Sequence, residues 1–83
     1  MTLAALIEEK VRAALGPCTL EIEDDSASHA GHGASGAHVK LRVVAEAFRG
    51  KSPVARHRLV YAALAEEMKG PIHALALTTD VPL

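Results

Sequence analysis

The run FRGKSPVARHRLVYAALAEEMKGPIHALAL, from Phe48 to Leu77, constrains the fold more than any other stretch. In continuous sequence it sets out a helix start, an amphipathic helix, a break and a buried strand. Ser52 is a preferred N-cap, and Pro53 fits the first helical position, where a missing N–H costs nothing. Val60, Leu64 and Met68 then recur every four residues with Tyr61 and Ala63 beside them. One helix face is therefore apolar, while Arg56, Arg58, Glu66 and Glu67 are expected to look outward. Gly70-Pro71 stops the helix. The residues from Ile72 to Thr79 are too few for a second long helix and read as a strand. A period of two puts Leu75 and Leu77 on one face, with His73 on the same side at the strand's entry.

The rest of the chain is placed against that run. Thr2 caps a first helix whose Leu3, Leu6, Ile7, Val11, Ala14 and Leu15 follow helical spacing, and Gly16-Pro17 ends it. From Cys18 to Glu23 the residues alternate, with Cys18, Leu20 and Ile22 on one face, so Cys18 is expected in the core. Asp24 to Gly36, DDSASHAGHGASG, offers nothing to pack and reads as a flexible loop carrying His29 and His32. His38 to Val44 alternates again, with Val39, Leu41 and Val43 inward and Lys40 and Arg42 outward. Antiparallel pairing of these two strands would set Lys40 and Arg42 against Glu21 and Glu23. Ala45 to Arg49 is expected to form one helical turn before Gly50.

The resulting order is helix, strand, strand, short helix, long helix, strand. This is an α+β chain with a three-stranded sheet covered by helices on one face. Two strands joined through a helix in one sheet are expected to run parallel, so the sheet is mixed.

Length and composition narrow the functions. At 83 residues the chain, 1–83, is expected to be a single domain. One Phe, one Tyr and no Trp make base stacking an unpromising mode of binding. A formal net charge of -1 means that any basic function must be local. The single cysteine excludes an internal disulfide and any all-cysteine metal site within one chain. The N-terminus, MTLAALIEEKVRAAL, has acids where a signal peptide has its basic flank, and no apolar run reaches the ~20 residues of a membrane span. The expectation is a cytoplasmic protein without a membrane partner. No nucleophile motif is visible, and GHGASG precedes a strand where a phosphate loop would follow one. An enzyme is not expected.

Five histidines are the main anomaly of the composition. His29 and His32, in a loop without apolar packing, are either solvated or metal ligands, since neutral imidazole suits iron and zinc. His73 is either a hydrogen-bonded residue at the core's rim or a third candidate ligand. If the last strand runs parallel to the second, the loop leaving the first strand and the entry to the last share one end of the sheet. His29 and His73 would then converge on a site that a partner must complete. His57, near the apolar helix face, reads as structural. Arg49, Lys51, Arg56 and Arg58 form a basic cluster at a helix start preceded by a short helix and a turn. That arrangement resembles a helix-turn-helix offering its second helix to DNA. The alternative is a solvated helix end, where the dipole disfavours cations.

Taken together, these residues resemble the BolA-like proteins over nearly the whole chain. The resemblance is carried by Leu20-Glu21-Ile22-Glu23-Asp24-Asp25-Ser26, His38-Val39-Lys40-Leu41-Arg42-Val43, Phe48-Arg49-Gly50-Lys51, Arg56-His57-Arg58-Leu59-Val60-Tyr61 and Ile72-His73-Ala74-Leu75, in that order. It implies a class II KH-like α+β fold in the order α-β-β-α-α-β. It also implies partnership with a monothiol glutaredoxin around a shared 2Fe-2S cluster, for iron-sulfur cluster trafficking or iron and redox regulation. On this resemblance His73 is one cluster ligand and His29, in the histidine type of loop, the second, with His32 an additional candidate. The glutaredoxin cysteine and its glutathione would hold one iron and two imidazoles the other, raising the reduction potential as in Rieske centres. A DNA-binding regulator using Arg49 to Arg58 is the alternative, and a zinc-binding histidine loop a third. Alone, the chain is expected to be a monomer or weak homodimer. Val39 stands where the family often has an aromatic, and Leu83 follows the last strand where a longer tail is usual.

Overall fold

A computed structural model describes residues 2–24 and 37–83. The elements are α1 (Leu3–Leu15), β1 (Cys18–Asp24), β2 (Ala37–Ala45), a 3-10 turn (Glu46–Phe48), α2 (Pro53–Ala63), α3 (Ala65–Met68) and β3 (Ile72–Asp80). Both helix starts follow from their caps. Thr2 Oγ1 accepts from the Ala5 N–H at 3.0 Å and Ser52 Oγ from the Ala55 N–H at 3.2 Å. Gly16 closes α1 at φ 79°, a left-handed value that glycine adopts without strain, and its N–H donates to the Arg12 carbonyl at 2.8 Å.

The sheet order is β1-β2-β3. β1 and β2 pair antiparallel, with Glu21 opposite Arg42 and Glu23 opposite Lys40, as the alternation predicts. An Arg42 Nη1 to Glu21 Oε2 hydrogen bond of 2.9 Å joins the first pair. β2 and β3 pair parallel. Val39, Leu41 and Val43 of β2 are buried beneath Ile7, Val11 and Leu15 of α1, Phe48, and Val60 and Leu64 of the later helices, so a single core lies between the sheet and the helices. Lys40 and Arg42 face the uncovered side. Cys18, expected in the core, is only half-buried, because it opens an edge strand.

Two expectations for the long helix need correction. It is interrupted at Leu64, where φ -105° and ψ 17° separate α2 from α3. Backbone bonds from Leu64 N to Val60 O and from Met68 N to Leu64 O span the interruption. Glu67 does not look outward: it is 5% exposed, and its Oε2 lies 2.7 Å from Lys10 Nζ of α1. Position overrides residue type here, since residues 60, 64 and 67 lie on one helical stripe. Glu67 Oε1 is buried and takes no hydrogen bond among the described residues.

The Lys10 hydrogen bond holds the Glu67 carboxyl below its ordinary range, against burial, and the same bond raises Lys10. A carboxylate whose folded pKa is depressed stabilises the fold above its unfolded pKa and loses that contribution as pH falls through the folded value. A raised Lys10 loses its share only as pH climbs past its folded value. Glu67→Gln is therefore expected to lower the denaturant midpoint at pH 7, with the gap to the parent closing as acid protonates Glu67. A gap that stays constant down to acid pH would refute the charge-based account.

Candidate metal centre

One end of the sheet collects the C-terminal end of β1 and the starts of both β2 and β3, because β1 runs against β2 and β3 runs with it. The topological condition for convergence is met. The Ala37 N–H donates to the Pro71 carbonyl at 2.7 Å, fixing the two strand entries side by side. Residues 25–36, with His29 and His32, leave from Asp24 and return at Ala37 next to this end; both histidines lie outside the described residues.

The register is irregular at this point. Ala37 pairs with Ile72, but His38 pairs with Ala74, so His73 is the extra residue of a bulge. Strict alternation would place His73 on the inward side with Leu75 and Leu77. Instead Ile72 is the buried entry residue, and His73 and Ala74 are both exposed. Bulges commonly re-aim a side chain in this way. The imidazole of His73 stacks on that of His38, with centroids 5.4 Å apart and planes inclined by 15°.

His38 is the residue that sequence reasoning left out of the site. It is half-buried on the phase of β2 shared with Lys40 and Arg42. The signal was present: with a parallel β2–β3 pair, two strands that each begin near a histidine bring those histidines together.

Two adjacent imidazoles offer borderline nitrogen donors suited to iron or zinc. Among the described residues no group of three His, Cys, Asp or Glu side chains converges, so the pair alone does not make up a complete metal site. No thiolate is close. Cys18 pairs with Ala45 at the opposite end of β1, and burial pushes its thiol up, keeping it protonated despite Arg12.

The basic cluster is divided. Arg49 is held by Glu46, with Nε to Oε1 at 2.6 Å and Nη2 to Oε2 at 2.9 Å, and Nη2 also donates to the Pro82 carbonyl at 3.0 Å. This contact raises Arg49 and lowers Glu46. Arg56 is half-buried and its Nε donates to the Lys51 carbonyl at 2.9 Å. Lys51 and Arg58 are exposed, and neither makes an ion pair among the described residues. His57, expected to be structural, is half-buried in a shallow surface groove with Pro53, Val54, Arg58 and Tyr61.

The family model described as "BolA-like protein" matches residues 11–83. "BolA-like protein 1" of Homo sapiens is 47% identical over 78 residues, covering 94% of this chain but 57% of the human protein. The chain thus spans little more than half the length of that relative. "DNA-binding transcriptional regulator BolA" of Escherichia coli is 43% identical over 79 residues, which is 95% of this chain and 75% of that protein. Among solved structures, the BolA domain of SufE1 from Arabidopsis thaliana superimposes with a TM-score of 0.80 at 43% identity, covering 99% of this chain and 95% of that one.

Proposed function

The chain belongs to the BolA-like family, and from that premise we propose that it partners a monothiol glutaredoxin, the two proteins sharing a 2Fe-2S cluster. The observation that carries this reading is the stacking of exposed His73 on half-buried His38, at the sheet end from which the His29 and His32 segment departs. His73 holds one position and a second imidazole, from His29, His32 or His38, holds another. The glutaredoxin cysteine and glutathione supply the thiolates that this chain lacks.

When bound, the cluster supplies a one-electron couple and a transferable iron-sulfur unit. The protein's part is to present neutral nitrogen donors on a fixed strand edge. The bulge turns His73 away from the core, and the parallel register holds His38 against it. Neutral imidazoles in place of thiolates raise a cluster's potential, and protons compete with iron for the same nitrogens, so ligation weakens in acid. This chemistry fits cluster trafficking or iron and redox regulation, and a binding role in place of catalysis.

Anaerobic reconstitution with a monothiol glutaredoxin and glutathione tests it. Adding the parent chain is expected to change the visible absorption and CD of the glutaredoxin-bound cluster at one chain per glutaredoxin. An unchanged spectrum together with no association on a sizing column would reject the proposal.

A second reading is DNA binding through the exposed Lys51 and Arg58, favoured by the name of the Escherichia coli relative. With Arg49 paired to Glu46 at the surface and Arg56 bonded to the Lys51 carbonyl, Lys51 and Arg58 are the cations of the cluster left for phosphate contacts. The dependence of log affinity on log salt should accordingly be shallow, since each neutralised phosphate contributes about 0.9 to the slope.

A further inference from the structure

Among the described residues the sheet order leaves β1 and β3 each with one unpaired edge, and the two edges are built differently. β1 carries exposed Glu21, Glu23 and Asp24, the charged residues by which native proteins discourage strand addition. β3 has no charge and no proline between Ala74 and Thr79. Its one irregularity, at His73, precedes that segment, which pairs residue by residue with β2.

We propose that the free edge of β3 binds a second copy of this chain, the two β3 strands pairing antiparallel about Ala76 so that the sheets of two molecules become continuous. The segment Ala74-Leu75-Ala76-Leu77-Thr78 reads small, large, small, large, small in both directions. An interface with two-fold symmetry requires such self-complementarity. In this register Ala76 faces Ala76 of the partner subunit, Leu75 faces Leu77 of the partner subunit, and Ala74 faces Thr78 of the partner subunit. Leu75 and Leu77 are packed against the core but half-exposed at the edge, and pairing covers what the helices leave open. Ala74, Ala76 and Thr78 lie exposed on the uncovered side, where their small side chains leave the approach clear. Asp80 of each molecule meets the Ile72–His73 end of the other, so no like charges oppose one another. The pairing uses the strand's backbone edge and not the imidazoles, and it brings the end of the partner's strand beside His73.

Sedimentation equilibrium of the whole chain, from about 1 µM to about 1 mM, gives the test. The mass is expected to rise from one chain to two and no further, because the two-fold closes. Ala76→Lys and Ala76→Glu each put like charges directly opposite and are expected to weaken association about tenfold. Mixing the two variants is expected to restore it. A double variant, Ala74→Lys with Thr78→Glu, sets opposite charges across the register and is expected to tighten association a few-fold. Far-UV CD checks that each variant folds. A parent that stays at one chain mass throughout, an Ala76→Lys variant that dimerises like the parent, or a mixture no tighter than its components would overturn the proposal.

Discussion

Phe48→Ala is expected to cost about 3–5 kcal/mol of folding stability, the range for removing a buried aromatic from a core. At ~0.05–0.15 kcal/mol per residue, a chain of this length has roughly 4–12 kcal/mol in total. The variant should therefore lose about a quarter of that stability at the upper end of the range and all of it at the lower end. Phe48 is 0% exposed and is the chain's single Phe. It closes the 3-10 turn between β2 and α2, where the crossover toward β3 begins. Tyr61, the single Tyr, is 39% exposed, and Tyr61→Ala should cost far less because most of its surface already meets water. Urea denaturation of the two variants decides the matter, and equal midpoint shifts would show that the core is misassigned. The consequence reaches the site: loosening the crossover loosens the parallel β2–β3 register, which is what sets His38 against His73.

Much of this architecture is legible in the sequence alone. β1 and β2 alternate cleanly because each has one buried and one solvated face, and the Gly-Pro pairs at 16–17 and 70–71 mark where helices give way to strands. Ser52 and Thr2 cap as their chemistry predicts. What escaped the sequence depends on neighbours. The bulge at His73 exists only relative to β2, so strand periodicity alone put His73 on the wrong face. The charge of Glu67 predicts an outward side chain, whereas its place on the buried stripe and the presence of Lys10 on α1 decide its fate. His38 carried no local mark of function, and its importance comes from a parallel partner far along the chain. Arg49 belongs to a basic run by sequence, but Glu46, three residues before it, pairs with it in the fold. His29 and His32 lie outside the described residues, so the reading of the loop rests on the resemblance and on where residues 25–36 attach.

His73→Ala is expected to abolish the mixed-ligand spectrum in the glutaredoxin reconstitution. Losing even a residue that merely supports a metal ligand costs about 10–100-fold in affinity, and losing the ligand itself costs more. His73 is exposed and its backbone already sits in a bulge, so the substitution should leave stability within about 0.5 kcal/mol of the parent. Loss of the spectrum would then report lost ligation and not lost folding. Three further variants separate the second ligand from its neighbours. If His29 or His32 completes the site, alanine there abolishes the signal while His38→Ala only perturbs it, because His38 then does no more than hold the His73 ring by stacking. If His38 is the second ligand, His38→Ala matches His73→Ala and the loop variants retain the spectrum. Acidification should release the cluster from the parent as protons take the imidazole nitrogens, and should do so less in any variant in which thiolates alone remain. A His73→Ala variant that kept the parent's spectrum and acid sensitivity would remove this histidine from the centre and, with it, the reason for the bulge.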